Sequence, residues 1–129
     1  MAQIKVYGLV EKLNPIKVDL SHIIHTSVSE VLQLPPEKRF HRFFPLDKTD
    51  FYYPNDRTEN YLIIEISIFE GRSKEIKKEL IHKLIKDINQ NFNISVNDIE
   101  ITIFETPKYN WGIRGFPGDE LTLNYKVEV

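Results

Sequence analysis

The chain has no cysteine among its 129 residues, and only one methionine and one tryptophan. The missing cysteine excludes a disulfide framework and any thiolate chemistry. Net charge is also small: 17 Lys and Arg against 19 Asp and Glu give −2. So even a balance argues against bulk nucleic-acid binding. Long apolar runs are absent. None approaches the roughly 20 residues that a membrane helix needs. Met1 to Val10 has no apolar core behind a basic start, so no secretory signal is expected. These absences predict a soluble, cytoplasmic protein that binds neither membrane nor nucleic acid. No phosphate loop, GxSxG or GxGxxG is found.

What is present fits one domain, spanning 1–129, with a real core. Its centre is Tyr61 to Phe92. Tyr61 to Phe69 is an apolar, β-branched run that suits a strand buried on both faces. Gly71 allows a sharp turn, and Ser73 is a natural N-cap. The helix that follows carries Ile76, Leu80, Ile81, Leu84, Ile85 and Ile88 on one face.

Before this unit, Gln3 to Val10 alternates as a strand. Asn14-Pro15 predicts a helix start, and apolar spacing carries that helix to about Gln33, where Pro35-Pro36 stops it. Arg39 to Leu46 reads as a strand. Asp47 to Asn60 reads as a long loop with a short strand at Phe51–Tyr53. Ile99 to Phe104 reads as a further strand and 107–119 as a Gly/Pro loop. Leu121 to Val129 alternates as a closing strand, with its core over about 121–127.

An offset of 60 residues superposes Ile4 on Ile64, Val6 on Ile66, Ile24 on Leu84 and Val28 on Ile88. The expectation is an α+β fold of two β-α-β units, pseudo-repeats over about 2–46 and 61–106. Together they would form a four-stranded sheet with two helices on one face. The other face, bearing residues such as Ile63 and Ile101, would be apolar and would drive self-association.

Several residues invite a chemical reading. Arg72 sits where a strand hands over to a helix. It could clamp a carboxylate through its fork of donors, or pair at the surface with Glu70 or Glu75. If Met1 is removed, the Ala2 amine begins a strand. A free α-amine titrates near 7.7–8.0, within reach of base or Schiff-base chemistry; the alternative is an ordinary solvated terminus. Glu37, Lys38 and Arg39 could line a site or form a solvated turn. Trp111 could wall a pocket or a subunit contact, or anchor its own loop. His41-Arg42 and Arg114 are further polar points beside aromatic residues. Phe51, Tyr52 and Tyr53 read as a packing anchor. Asp19, His22 and His25 recur at steps of three, but no HExxH or cysteine joins them, so no metal is expected. Lys74, Lys77, Lys78, Lys83 and Lys86 are interleaved with Glu75 and Glu79, a solvated face.

The chain resembles the tautomerase superfamily, in particular its long duplicated members similar to malonate semialdehyde decarboxylase. The resemblance rests on the order of Val10-Glu11, Leu34-Pro35 through Arg39-Phe40, Asp56-Arg57-Thr58, Ile64-Glu65-Ile66-Ser67, Gly71-Arg72-Ser73 with Lys77-Lys78, Val96-Asn97-Asp98-Ile99 leading to Glu105-Thr106-Pro107, and Asn110-Trp111-Gly112. It implies a homotrimer without cofactor, acting as a keto–enol tautomerase on a small oxo acid. Ala2 (its N-terminal amine) and Arg72 would be catalytic. Arg72, Arg39, Glu37, Lys38 and Trp111 would bind substrate. Ala2 stands where the family has its proline, Glu70 where decarboxylase-like members have a second arginine, and Lys38 where they have an aspartate. These departures imply the alternative of a non-catalytic trimer that binds a small carboxylate or a protein.

Overall fold

The structure is a computed structural model, and it describes residues 1–122 and 126–129. Four strands, β1 (Ala2–Leu9), β2 (Phe40–Leu46), β3 (Leu62–Phe69) and β4 (Ile99–Thr106), form one sheet in the order β2-β1-β3-β4. β1 is parallel to β2, β3 is parallel to β4, and β1 and β3 meet antiparallel at the centre. Each parallel pair is linked by a helix crossover, α2 (Lys17–Leu32) or α3 (Lys74–Phe92), after the short helix α1 (Val10–Leu13). This is the expected α+β architecture, with two helices on one face of the sheet.

The period-two pattern shows why one face is dry. Ala2, Ile4 and Val6 of β1 and Leu62, Ile64, Ile66 and Ile68 of β3 are buried beneath the helices. Leu20, Ile24, Val28, Leu80, Leu84 and Ile88 meet them from above. Each fully buried aliphatic side chain here contributes about 1.5–3 kcal/mol.

Corresponding elements of the two β-α-β units face each other. At the 60-residue offset, Lys5 pairs with its own equivalent Glu65 across the central strands. In the helix layer Ser27 Oγ donates to its equivalent Asp87 Oδ2 at 2.7 Å. Gln33 and Asn93 both end their helices in the left-handed region, each with φ 55°. Short 3₁₀ turns at 48–50 and 108–110 also correspond.

Some sequence expectations need correction. α2 starts at Lys17, because Asn14-Pro15 lies in the turn after α1, and Asn14 Oδ1 accepts from Lys17 Nζ instead of capping. Phe51–Tyr53 is not a strand; Phe51 is a buried plug beneath the 47–61 loop, stacked on Tyr61. Part of the closing strand, 123–125, lies outside the described residues. Leu121, Thr122 and Lys126 to Val129 are not strand. Ile101 pairs with Ile64 and so lies on the helix-covered face. The open face is mixed, not apolar: Gln3, Lys5, Arg42, Glu65, Ser67 and Thr102 stand beside Tyr7, Phe40, Phe44, Ile63 and Phe104. Tyr7 stacks on Phe44 and donates to Glu65 Oε1 at 2.7 Å. No helix among the described residues is long and apolar enough to cross a membrane.

Candidate active site

Strand direction decides which residues meet. Antiparallel pairing puts Ala2 opposite Ile68, at the C-terminal end of β3. β2 runs parallel to β1, so the turn before Phe40 lies beside the start of β1. β4 runs parallel to β3, and Thr106 pairs with Phe69. One end of the sheet therefore collects Met1–Ala2, the Lys38 turn, the Gly71–Ser73 turn and the segment from Glu105 to Trp111.

Arg72 is placed by two local devices. Gly71 takes φ +134°, a region that side chains rarely adopt. Ser73 caps α3 by accepting from Ile76 N at 3.2 Å. Between them Arg72 turns inward and is only 4% exposed. Nη1 donates to Phe69 O at 3.3 Å. Nε and Nη2 are buried without a partner among the described residues. Burial holds its pKa below the ordinary arginine value, against the pull of Glu105 and Glu128. The surface pairing with Glu70 or Glu75 is not formed among the described residues. Buried guanidinium donors with nothing to bind carry a desolvation cost, and an incoming carboxylate would offset it.

The terminal amine lies at the same end. In this structure it belongs to Met1, with Ala2 next to it and 4% exposed. Its pKa is lowered from 8.0 to about 5, chiefly by burial, then by the positive charges of Arg72, Lys38 and Lys108. At neutral pH it is therefore an uncharged primary amine among cations.

Trp111 belongs to the segment that follows β4. It anchors its loop, packing edge-on against Phe69 with ring centroids 5.1 Å apart and donating from Nε1 to Thr106 Oγ1. It also lines an open cavity of about 360 Å³ with Gln3, Ser67, Thr106, Asn110 and Gly112. Lys38 is half-buried and near the amine, whereas Glu37 is exposed. Arg39 is exposed too and lines a separate cavity at the sheet edge with Gln3, Phe40, His41 and Arg42.

Three charged residues near the site were given no site role from sequence. Lys108 faces the amine, and Glu105 and Glu128 face Arg72. Glu105 also pairs with Lys77 Nζ at 2.7 Å. The parallel β3–β4 register, which puts Glu105 beside Ile68, was the signal that would have found it.

The remaining polar residues have structural duties. Asp98 is buried and accepts from Thr58 N at 2.8 Å and Thr58 Oγ1 at 2.5 Å. Arg57 bridges Asp56 and Glu100, and Tyr61 OH donates to Glu100 Oε2 at 2.6 Å. Asp19 and His22 are exposed, whereas His25 Nε2 contacts Pro36 O at 2.5 Å. Among the described residues no cluster of three His, Cys, Asp or Glu is placed to hold a metal. On α3, Lys77 and Lys83 are held in ion pairs, Lys83 with Glu30 and Asp87.

The sequence profile of a family described as "Tautomerase enzyme" matches residues 38–114, more than half of the chain. The chain belongs to that family. The 2-hydroxymuconate tautomerase of Comamonas testosteroni is 35% identical over 57 residues, 44% of this chain and 90% of that protein. The probable tautomerase YusQ of Bacillus subtilis (strain 168) is 24% identical over 97 residues, 71% of this chain and 76% of the relative. Among solved structures, malonate semialdehyde decarboxylase superposes with a TM-score of 0.80 at 16% identity, covering 92% of this chain and 99% of the other. A native fused 4-OT gives a TM-score of 0.82 at 18% identity, covering 92% and 98%. At such identities these two show the fold.

Proposed function

We propose that the protein is an isomerase that tautomerises a small oxo acid. Arg72 holds the substrate carboxylate, and the N-terminal amine, of Ala2 after loss of Met1, moves the proton between oxygen and carbon. In the ketonising direction the uncharged amine takes the enol hydroxyl proton and returns it to the neighbouring carbon. No proton is gained or lost overall, and no cofactor is required. At this end of the sheet burial first, then Arg72, Lys38 and Lys108, favour the uncharged form of the terminal amine of Met1, and the same cations add positive potential for an anionic substrate. Trp111 walls the site, while Arg39 lines the neighbouring cavity at the sheet edge and Glu37 is exposed in the same turn.

The observation that carries this reading is Arg72: a buried arginine with Nε and Nη2 unpartnered among the described residues, at the sheet end that also holds the amine. The relatives named as tautomerases agree with it. The test is turnover of 2-hydroxymuconate or phenylenolpyruvate. Activity lost in Arg72→Met supports the reading, and activity unchanged refutes it.

A second reading is favoured by one fact. Ala2 replaces a secondary amine with a primary one, so the protein could be a non-catalytic trimer that keeps the pocket to bind a small carboxylate or a protein partner. Both readings assume a homotrimer. In support, Phe40, Phe104, Tyr109 and Phe116 are exposed, and a fused 4-OT of the same fold, with a TM-score of 0.80, is described as an asymmetric trimer. Carboxylate binding without turnover selects the second reading.

A further inference from the structure

The last four residues, Lys126–Val129, lie against the turn that carries Arg72. Val127 is only 1% exposed, although it stands in irregular chain near the C-terminal end. Its contact is Gly71: a Cβ added there would come within 2.8 Å of Val127 Cγ1 and 3.6 Å of Glu128 Oε1. Two residues on, Val129 O accepts from Ser73 N at 3.0 Å. That amide belongs to the N-cap of α3, a position where backbone donors otherwise go unsatisfied. The tail thus grips the turn on both sides of Arg72. Glu128 projects between these two anchors, is itself exposed, and its charge acts on the buried guanidinium. It forms no ion pair with Arg72 among the described residues.

We propose that Val127 and Glu128 are positioning residues of Arg72: Val127 plugs the turn so that the guanidinium keeps its buried position, and Glu128 is a nearby negative charge that opposes an incoming ligand carboxylate. The tail is then a strap over the carboxylate-binding end. This rests on the reading of Arg72 as a carboxylate clamp. The two residues act in opposite senses. Loosening the plug frees Arg72 to swing away and weakens anion binding. Neutralising Glu128 removes a competing negative charge and strengthens it. General loss of stability would weaken binding in both variants, so the opposite signs distinguish positioning from a merely structural role.

The test uses the full chain, with pyruvate as probe and titration calorimetry as readout. Val127→Ala is expected to weaken pyruvate binding about tenfold and to speed hydrogen exchange at the Ser73 amide, with Val127→Ile restoring both. Glu128→Gln is expected to tighten binding about threefold, the effect of one exposed charge a few ångströms away in water. Unchanged exchange at Ser73 in Val127→Ala, or unchanged or weaker binding in Glu128→Gln, overturns the proposal. If wild type fails to bind pyruvate, or Arg72→Met binds it equally well, the clamp reading fails first and takes the positioning role with it. If the wild type binds, Arg72→Met does not, and the tail variants behave as wild type, the clamp stands and the strap alone falls.

Discussion

Arg72→Met separates a functional arginine from a structural one, because the two roles predict opposite signatures. In the free protein the guanidinium is 4% exposed and makes one hydrogen bond, at 3.3 Å to Phe69 O, with Nε and Nη2 unpartnered among the described residues. It gives up hydration and recovers little, so an unbranched apolar side chain of similar reach should leave the fold as stable or more so. Glu105 is not stranded by the change, since it keeps Lys77 at 2.7 Å. In the complex, both free donors would meet a carboxylate. Two charge-assisted hydrogen bonds at about 1.5–3 kcal/mol each come to about 3–5 kcal/mol after incomplete additivity. That corresponds to a loss of about 10²- to 10⁴-fold in kcat/KM. The assay pairs ketonisation of phenylenolpyruvate, followed by absorbance, with a thermal melt. Lower kcat/KM with an unchanged or raised Tm is expected. A Tm lowered by several degrees with kcat/KM intact would refute the reasoning, because it would mean that Arg72 serves the fold.

Two further outcomes follow from the geometry. The burial and nearby cations that hold the Met1 amine below its ordinary 8.0 act in the same direction on the Ala2 amine once Met1 is lost, so kcat/KM should hold at neutral pH and decline only at an inflection well below 8.0; Lys108→Met should move the inflection upward, whereas an inflection near the unperturbed 8.0 would show a solvated amine. Asp98→Ala removes both acceptors of Thr58 and leaves its backbone N–H short of a partner, a loss of about 2–4 kcal/mol read by chemical denaturation; an effect below about 0.5 kcal/mol would mean that the 54–61 loop is held elsewhere.

Much of the fold was legible in the sequence because its signals are local. β1 and β3 are strictly alternating or apolar runs, and Ser73 caps α3 as its position suggested. At the 60-residue offset the two central strands, Ala2–Leu9 and Leu62–Phe69, share one burial pattern. What failed depended on tertiary context. Ile101 was placed on the wrong face because parity within an apolar strand is fixed only by the partner's register. Asn14-Pro15 looked like a helix start, but a four-residue helix before it took up that part of the chain. Arg72 was readable as a residue type at a strand end. Its burial and its unpartnered donors were not, because they arise where β1, β3, β4 and the chain's last residues meet. Lys108 and Glu128 were missed for the same reason: each is distant in sequence from the group it acts upon.

The most direct test of the central claim is tautomerisation of 2-hydroxymuconate by the wild-type protein and by Ala2→Pro, with the N-terminal residue of each established by intact mass. Turnover by the wild type with Ala2 as its first residue, abolished when that amine is acetylated, is the predicted result. A folded wild type and a folded Ala2→Pro that both fail to turn over would contradict the account and leave the carboxylate-binding trimer in its place.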